Sequence, residues 1–179
     1  MKESFELFSI IINTATPHNK TNPHIERVII IKLDKPLIAV ALACIATIPY
    51  EIFTRIFLLF GIGKYSFYEL DSLVVTISDR PNLVIGIVIS CLVAGVYGIS
   101  FYYALAKLGT DYLIIKATFS SLLVWGVLEL VFTATIEGHH IELRPINDYY
   151  THMAGAIVLG LTFGILLKKF LLKKSVSYQ

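Results

Sequence analysis

Charged side chains are scarce in this chain. Asp, Glu, Lys and Arg make up 16% of its 179 residues, against about 25% in a soluble domain. The formal net charge of +2 is too small a surplus to hold a nucleic acid, which excludes that class of partner. Cys44 and Cys91 are the two cysteines, and each lies inside an apolar run. They supply neither a disulfide framework nor metal-ligand spacing. There is no nucleophile elbow, Walker loop, paired cysteine or zinc-protease motif. His18, His24 and the serines have no evident catalytic partners. The reading therefore leans away from an enzyme, and no cofactor or metal is expected.

What fills the space is apolar. Hydrophobic residues reach 56%, above the usual 45–50% or so, and the mean hydropathy is +0.73. Four runs are long enough to cross a bilayer, which takes about 20 residues at a rise of 1.5 Å each. They are Leu37–Phe60, Asn82–Ala106, Tyr112–Ile136 and Tyr150–Leu172, with Pro36 and Pro81 just ahead of the first two, where a missing N–H costs nothing. The expected fold is an all-α membrane protein, an antiparallel bundle of four transmembrane helices spanning residues 36–172. A basic tail follows at 173–179.

Residues 1–35 do not read as a signal peptide, because Glu3 and Glu6 interrupt the short apolar run Phe5–Ile12 and no small-residue cleavage site follows. They read as an arm on the membrane surface, partly amphipathic, with turns at Thr16-Pro17-His18-Asn19 and Thr21-Asn22-Pro23. Basic residues set the orientation. Lys64, Arg80 and Arg144 fall on one side and Arg55 within a span; the rest of the fifteen fall with the two termini. Both termini are thus expected inside, in the cell membrane. The outer loops, of roughly 20 and 13 residues, hold the acids Glu69, Asp71, Asp79, Glu137, Glu142 and Asp148. His139, His140, Glu137 and Glu142 in the second loop are weak metal candidates, since solvated loop histidines seldom ligate without matched spacing.

Two features bear on function. Span two carries small residues at every fourth position (Gly86, Ser90, Ala94 and Gly98), and span four repeats this with Ala156, Gly160 and Gly164, Gly155 lying alongside. Such stripes let helix backbones approach closely. Spans two and four are expected to pack on each other, or one stripe to form a homo-oligomer or bind another membrane subunit. The second feature is a set of ionisable residues at membrane depth, each costing about 2.5–3.5 kcal/mol on insertion scales. Counted from the outer ends, Glu51 lies about 14 Å deep, Glu129 about 11 Å, Arg55 about 8 Å and His152 about 3 Å. Glu51 and Arg55 are four apart on one face, the favourable order for an ion pair. Glu129 is expected to face the same interior, sharing Arg55 or holding a proton. On that expectation Arg55→Ala harms the fold more than Glu129→Gln.

The segments Ile48-Pro49-Tyr50-Glu51-Ile52-Phe53-Thr54-Arg55, Gly109-Thr110-Asp111-Tyr112-Leu113-Ile114-Ile115-Lys116 and Arg144-Pro145-Ile146-Asn147-Asp148-Tyr149-Tyr150-Thr151-His152 resemble small four-span integral membrane proteins of Gram-positive-type bacteria. The resemblance covers about residues 37–170 and implies fold and compartment, with no activity to carry over. The sequence alone favours a non-enzymatic membrane protein working through helix association. The alternative is a proton- or cation-handling protein using Glu51, Arg55, Glu129 and His152.

Overall fold

A computed structural model describes residues 34–76 and 80–171. The N-terminal arm up to residue 33 and the basic tail lie outside the described residues; the arm's last residues, Asp34 and Lys35, are the cap and first residue of a helix. The described residues form five helices: α1 (Lys35–Leu59), α2 (Phe67–Thr76), α3 (Leu83–Leu108), α4 (Leu113–Thr135) and α5 (Ile146–Phe170). All but α2 are long and apolar enough to cross a membrane, and the described residues contain no strand. The molecule is a multi-pass, all-α four-helix membrane bundle. Its many exposed Leu, Ile, Val and Phe side chains suit a surface whose solvent is lipid rather than water.

Local chemistry fixes the helix ends. Pro36 sits in the first turn of α1. The Asn82 side chain caps α3 by accepting from the Val84 and Ile85 amides at 3.0 and 3.1 Å. At the other end of α3, Gly109 takes φ +70, and Lys116 Nζ donates to the Leu108 and Gly109 carbonyls at 2.6 and 3.1 Å. A cation there satisfies orphan carbonyls and complements the helix dipole. Helix α5 begins at Ile146, four residues earlier than hydropathy places the span. Its polar first turn therefore puts Asp148 on the helix, not in a loop.

Around the bundle the order is α3, α1, α5, α4, and α2 lies against α3. The small-residue stripes of α3 and α5 do not face each other. A Cβ on Gly98 would come within 2.7 Å of the Ala39 carbonyl of α1, and one on Gly86 would overlap the Tyr68 carbonyl of α2. Gly160 and Gly164 press on Thr118, Ser121, Ala117 and Ile114 of α4, and Gly155 on the Tyr50 ring of α1. The Ala156 carbonyl accepts from Ser121 Oγ at 2.8 Å. Helices α3 and α5 meet instead across an aromatic layer, with Phe163 centroids 5.2 Å from Tyr97 and 5.5 Å from Phe101. Those bulky rings hold the two backbones apart, which is why the stripes serve other neighbours. This corrects the pairing expected from sequence.

The connection from α1 to α3 also departs from expectation. It is no plain outer loop, because α2 folds within it and docks on the bundle. Its start is a capping box: the Ser66 amide donates to Glu69 Oε2 at 3.0 Å, and Ser66 Oγ accepts from the Glu69 amide at 3.4 Å. Thr54 Oγ1 accepts from the Phe67 amide at 3.0 Å and Glu51 Oε2 from the Tyr68 amide at 2.8 Å. Four successive amides of a helix start thus find side-chain acceptors, two of these acceptors lying on α1. Without them these donors would be buried unpaired.

Candidate functional site

The end of the bundle where α1 and α4 finish and α3 and α5 begin, here the loop end, holds two polar centres and a cavity. The first centre is built around Arg144, whose side chain is fully buried. Its Nη2 pairs with Glu129 of α4 and with Glu137 Oε2 at 3.2 Å, and its Nη1 with Asp148 Oδ2 at 3.3 Å. The rings of Phe132 and Tyr149 sandwich the guanidinium, with centroids 4.9 and 4.5 Å away. Glu137 also accepts from the Arg144 amide at 2.6 Å, Tyr149 Oη at 2.7 Å and Thr133 Oγ1 at 3.2 Å. Burial alone would raise the Glu137 pKa; those hydrogen bonds and the Arg144 charge outweigh it and hold the carboxyl below its ordinary value. Burial likewise opposes the charge on Arg144, yet Glu129 and Glu137 keep its pKa raised.

Asp148 joins this centre to the rest of the loop end. Its Oδ1 accepts from the Lys64 and Tyr65 amides at 2.7 and 3.4 Å, stapling the α1–α2 connection to α5. The fit demands glycine next door: Gly63 has φ +95, and a Cβ there would lie 2.8 Å from Asp148 Oδ1. Asp148 Oδ2 also lies 3.7 Å from Nε2 of the fully buried His152. Tyr50 Oη donates to the His152 carbonyl at 2.9 Å and sits 3.3 Å from Nδ1. Its ring stacks on Phe67 at 4.0 Å.

The second centre is Glu51, Arg55 and Glu69. Arg55 Nε binds Glu51 Oε1 at 2.5 Å and Arg55 Nη2 lies 3.8 Å from Glu69 Oε1. The Arg55 side chain is 44% exposed, whereas that of Glu51 is 8% exposed. The four ionisable residues expected to form one cluster therefore divide. Glu51 and Arg55 belong to the anchoring of α2, and Glu129 and His152 belong to the Arg144 centre. Arg144, not Arg55, compensates Glu129. Helix α4 packs mainly on α5 rather than α1, and that carries Glu129 toward the α4–α5 connection.

The sequence reading placed Arg144, Glu137, Asp148 and Asp71 in the outer loops, and of the four it considered only Glu137 for the site, as a weak metal candidate. A signal was present for two of them. Arg144, Asp148 and His152 are spaced four apart, the interval that brings side chains together on a helix; Asp148 and His152 share a face of α5, and Arg144 lies just ahead of its first turn. No such spacing marks Asp71, which α2 carries to the bundle wall, where Ser90 Oγ donates to its Oδ2. Burial pushes the Asp71 carboxyl up to about 7, with Glu51 adding to the rise and the Ser90 hydrogen bond opposing it. Ser90, read from sequence as a packing residue, is thus also a hydrogen-bond donor.

Beneath α2, between α3 and α4, lies a cavity of about 200 Å³. Tyr97 Oη ties the two helices on its far side, donating to the Ala117 carbonyl at 3.0 Å and lying 2.9 Å from Ser120 Oγ. Otherwise the two helices share few contacts. The lining is mostly aliphatic and aromatic, with Asp71, Glu129, Tyr50 and Trp125 supplying polar atoms. Among the described residues no three His, Cys, Asp or Glu side chains are grouped as a metal ion would require. His139 and His140 are exposed, and His139 Nδ1 lies 3.2 Å from the Glu137 carbonyl. Comparison of the chain with protein-family models, curated proteins and solved structures finds no match.

Proposed function

We propose that this membrane protein handles protons or small cations at the Arg144 centre. The observation that carries the reading is a charge surplus. One buried guanidinium faces the three carboxylates of Glu129, Glu137 and Asp148. With all four groups ionised the centre holds two uncompensated negative charges, which a low-dielectric interior does not tolerate. Protons or a cation must make up the difference, with His152 next to Asp148 as a further proton acceptor. The charge asymmetry of the loops and the resemblance to small four-span proteins support placing it in a bacterial cell membrane, termini inside and the Arg144 centre near the outer face.

The reading based on helix association has less behind it. Gly86, Gly98, Gly160 and Gly164 make their close approaches within the chain, so the packing those glycines permit is already used inside the monomer.

Infrared difference spectroscopy of the full chain in lipid tests the proposal. In an Asp71→Asn background, which removes the carboxyl that titrates near neutrality, a protonated carboxyl band is expected at neutral pH, shifting or disappearing when Glu129→Gln is added. In parallel, proteoliposomes are expected to pass protons faster than protein-free vesicles. If every carboxyl were ionised at neutral pH and flux matched the protein-free control, the proposal would be wrong.

A further inference from the structure

We propose that the cavity between α3 and α4 is a binding site for a small amphipathic amine, with Asp71 as its counter-ion. This extends the reading above from protons to an organic cation, and it rests on the cavity rather than on the Arg144 centre.

Size sets the first limit. An apolar cavity of about 150 Å³ is enough for benzene, so about 200 Å³ takes one ring or a short alkyl segment together with a small headgroup. Charge sets the second. Two carboxylates, Asp71 and Glu129, line the cavity, and no Lys, Arg or His does. Glu129 is matched by Arg144, whereas the partner of Asp71 is the neutral hydroxyl of Ser90. The carboxylate left without a cation therefore faces the cavity, and an ammonium group would complete it. Tyr50, Tyr97 and Trp125 line the same space; such ring faces attract an organic cation.

Trp125 adds an independent sign. Its Nε1 is buried without a hydrogen-bond acceptor, a donor still open for a polar atom of an occupant. Access is lateral. Val74, Leu128 and Val131 line the cavity and are about half exposed, at 48%, 46% and 55%. The entrance thus opens on the lipid-facing flank of the bundle, where amphipathic amines partition. An anionic or purely apolar occupant would bring Asp71 no cation, and the carboxyl would hold a proton instead.

Trp125 is the chain's single tryptophan, so its fluorescence reports the cavity directly. The full-length protein in lipid nanodiscs is titrated with 4-bromophenethylamine, whose bromine quenches indole, and with the matching alcohol and carboxylate. Saturable quenching by the amine is expected at concentrations at least roughly tenfold below those for the alcohol or the carboxylate, the scale of one charge-assisted hydrogen bond. Asp71→Asn, with its helix content checked, should erase the preference for the amine while the alcohol curve stays put. Val93→Phe, which fills the cavity from α3, should weaken quenching by all three probes. Equal, unsaturable quenching by the three would mean partition into lipid and would overturn the proposal, as would a preference for the amine that survives Asp71→Asn. Loss of the protonated carboxyl band with the amine preference intact would instead count against the Arg144 centre alone.

Discussion

Replacing Arg144 with Met tests the central electrostatic argument most directly. Methionine keeps much of the side-chain volume between the Phe132 and Tyr149 rings while removing the charge. Glu129, Glu137 and Asp148 then lose their shared cation, although Glu137 keeps the Arg144 amide and Tyr149 as donors, and Asp148 keeps the Lys64 and Tyr65 amides. Removing one partner of a buried ion pair costs about 3–5 kcal/mol, and with three acids stranded the loss should lie at the upper end. Arg55→Met is the control. Arg55 is 44% exposed, and Glu51 keeps its bond to the Tyr68 amide, so about 1 kcal/mol is expected, the scale of a surface pair. Adding Glu129→Gln to Arg144→Met should restore roughly a third of the loss, since it removes one of the three stranded charges. The assay is reversible unfolding in mixed micelles, followed by circular dichroism and by Trp125 emission. If Arg144→Met and Arg55→Met lowered stability equally, or if Glu129→Gln made the Arg144 variant worse, the charge-surplus reasoning would be refuted.

Further outcomes follow from other parts of the structure. Gly86→Ala and Gly160→Ala each place a methyl on backbone atoms of a neighbouring helix and should cost several kcal/mol, about the scale of overpacking; Gly126→Ala meets nothing within 4 Å and should be neutral or slightly stabilising in the same unfolding assay. Thr54→Val removes the acceptor for the Phe67 amide and should cost about 1 kcal/mol, read as faster hydrogen exchange confined to α2. Asp71 has a folded pKa of about 7 against an ordinary 3.8, so the fold favours its protonated form. Its contribution to stability should fall as pH rises from about 4 and level off above about 7, with Glu51 and Ser90 as the facing groups, and a stability–pH curve for Asp71→Asn should be flatter over that range. A cysteine at Glu142, whose side chain is 88% exposed, should react with an impermeant reagent from outside the cell; labelling from the cytoplasm alone would reverse the proposed orientation.

Much of the architecture was legible because hydropathy and helix length act over twenty residues at a time. The four spans emerge from that pattern, with ends shifted where polar first turns, such as Asn147-Asp148 in α5, continue the helix beyond the apolar run. The capping box Ser66-Phe67-Tyr68-Glu69 was also visible in principle, yet its significance depends on Thr54 and Glu51 reaching it from α1. The polar site was less legible, because helix neighbours decide which charges meet. Glu129 sits at nearly the same depth as Arg55, but α4 turns it toward Arg144. Depth along the membrane normal can be counted from sequence; azimuth around the bundle cannot. For the same reason Asp71 reads as one of several loop acids until α2 is seen to carry it to Ser90.

The sparse contact between α3 and α4 has a mechanical consequence. Three seams of the bundle are closed along helix backbones and side chains, but the fourth is tied by Tyr97 and otherwise leaves a cavity between its helices. In a bilayer the flank left open by Val74, Leu128 and Val131 faces acyl chains under lateral pressure, so this wall of the bundle borders lipid rather than another helix. The width of the seam then becomes a property of the membrane as much as of the chain. Bilayers with thinner or more crowded hydrocarbon cores will set α3 and α4 at different separations, and a detergent micelle, which applies no such pressure, will leave them widest apart.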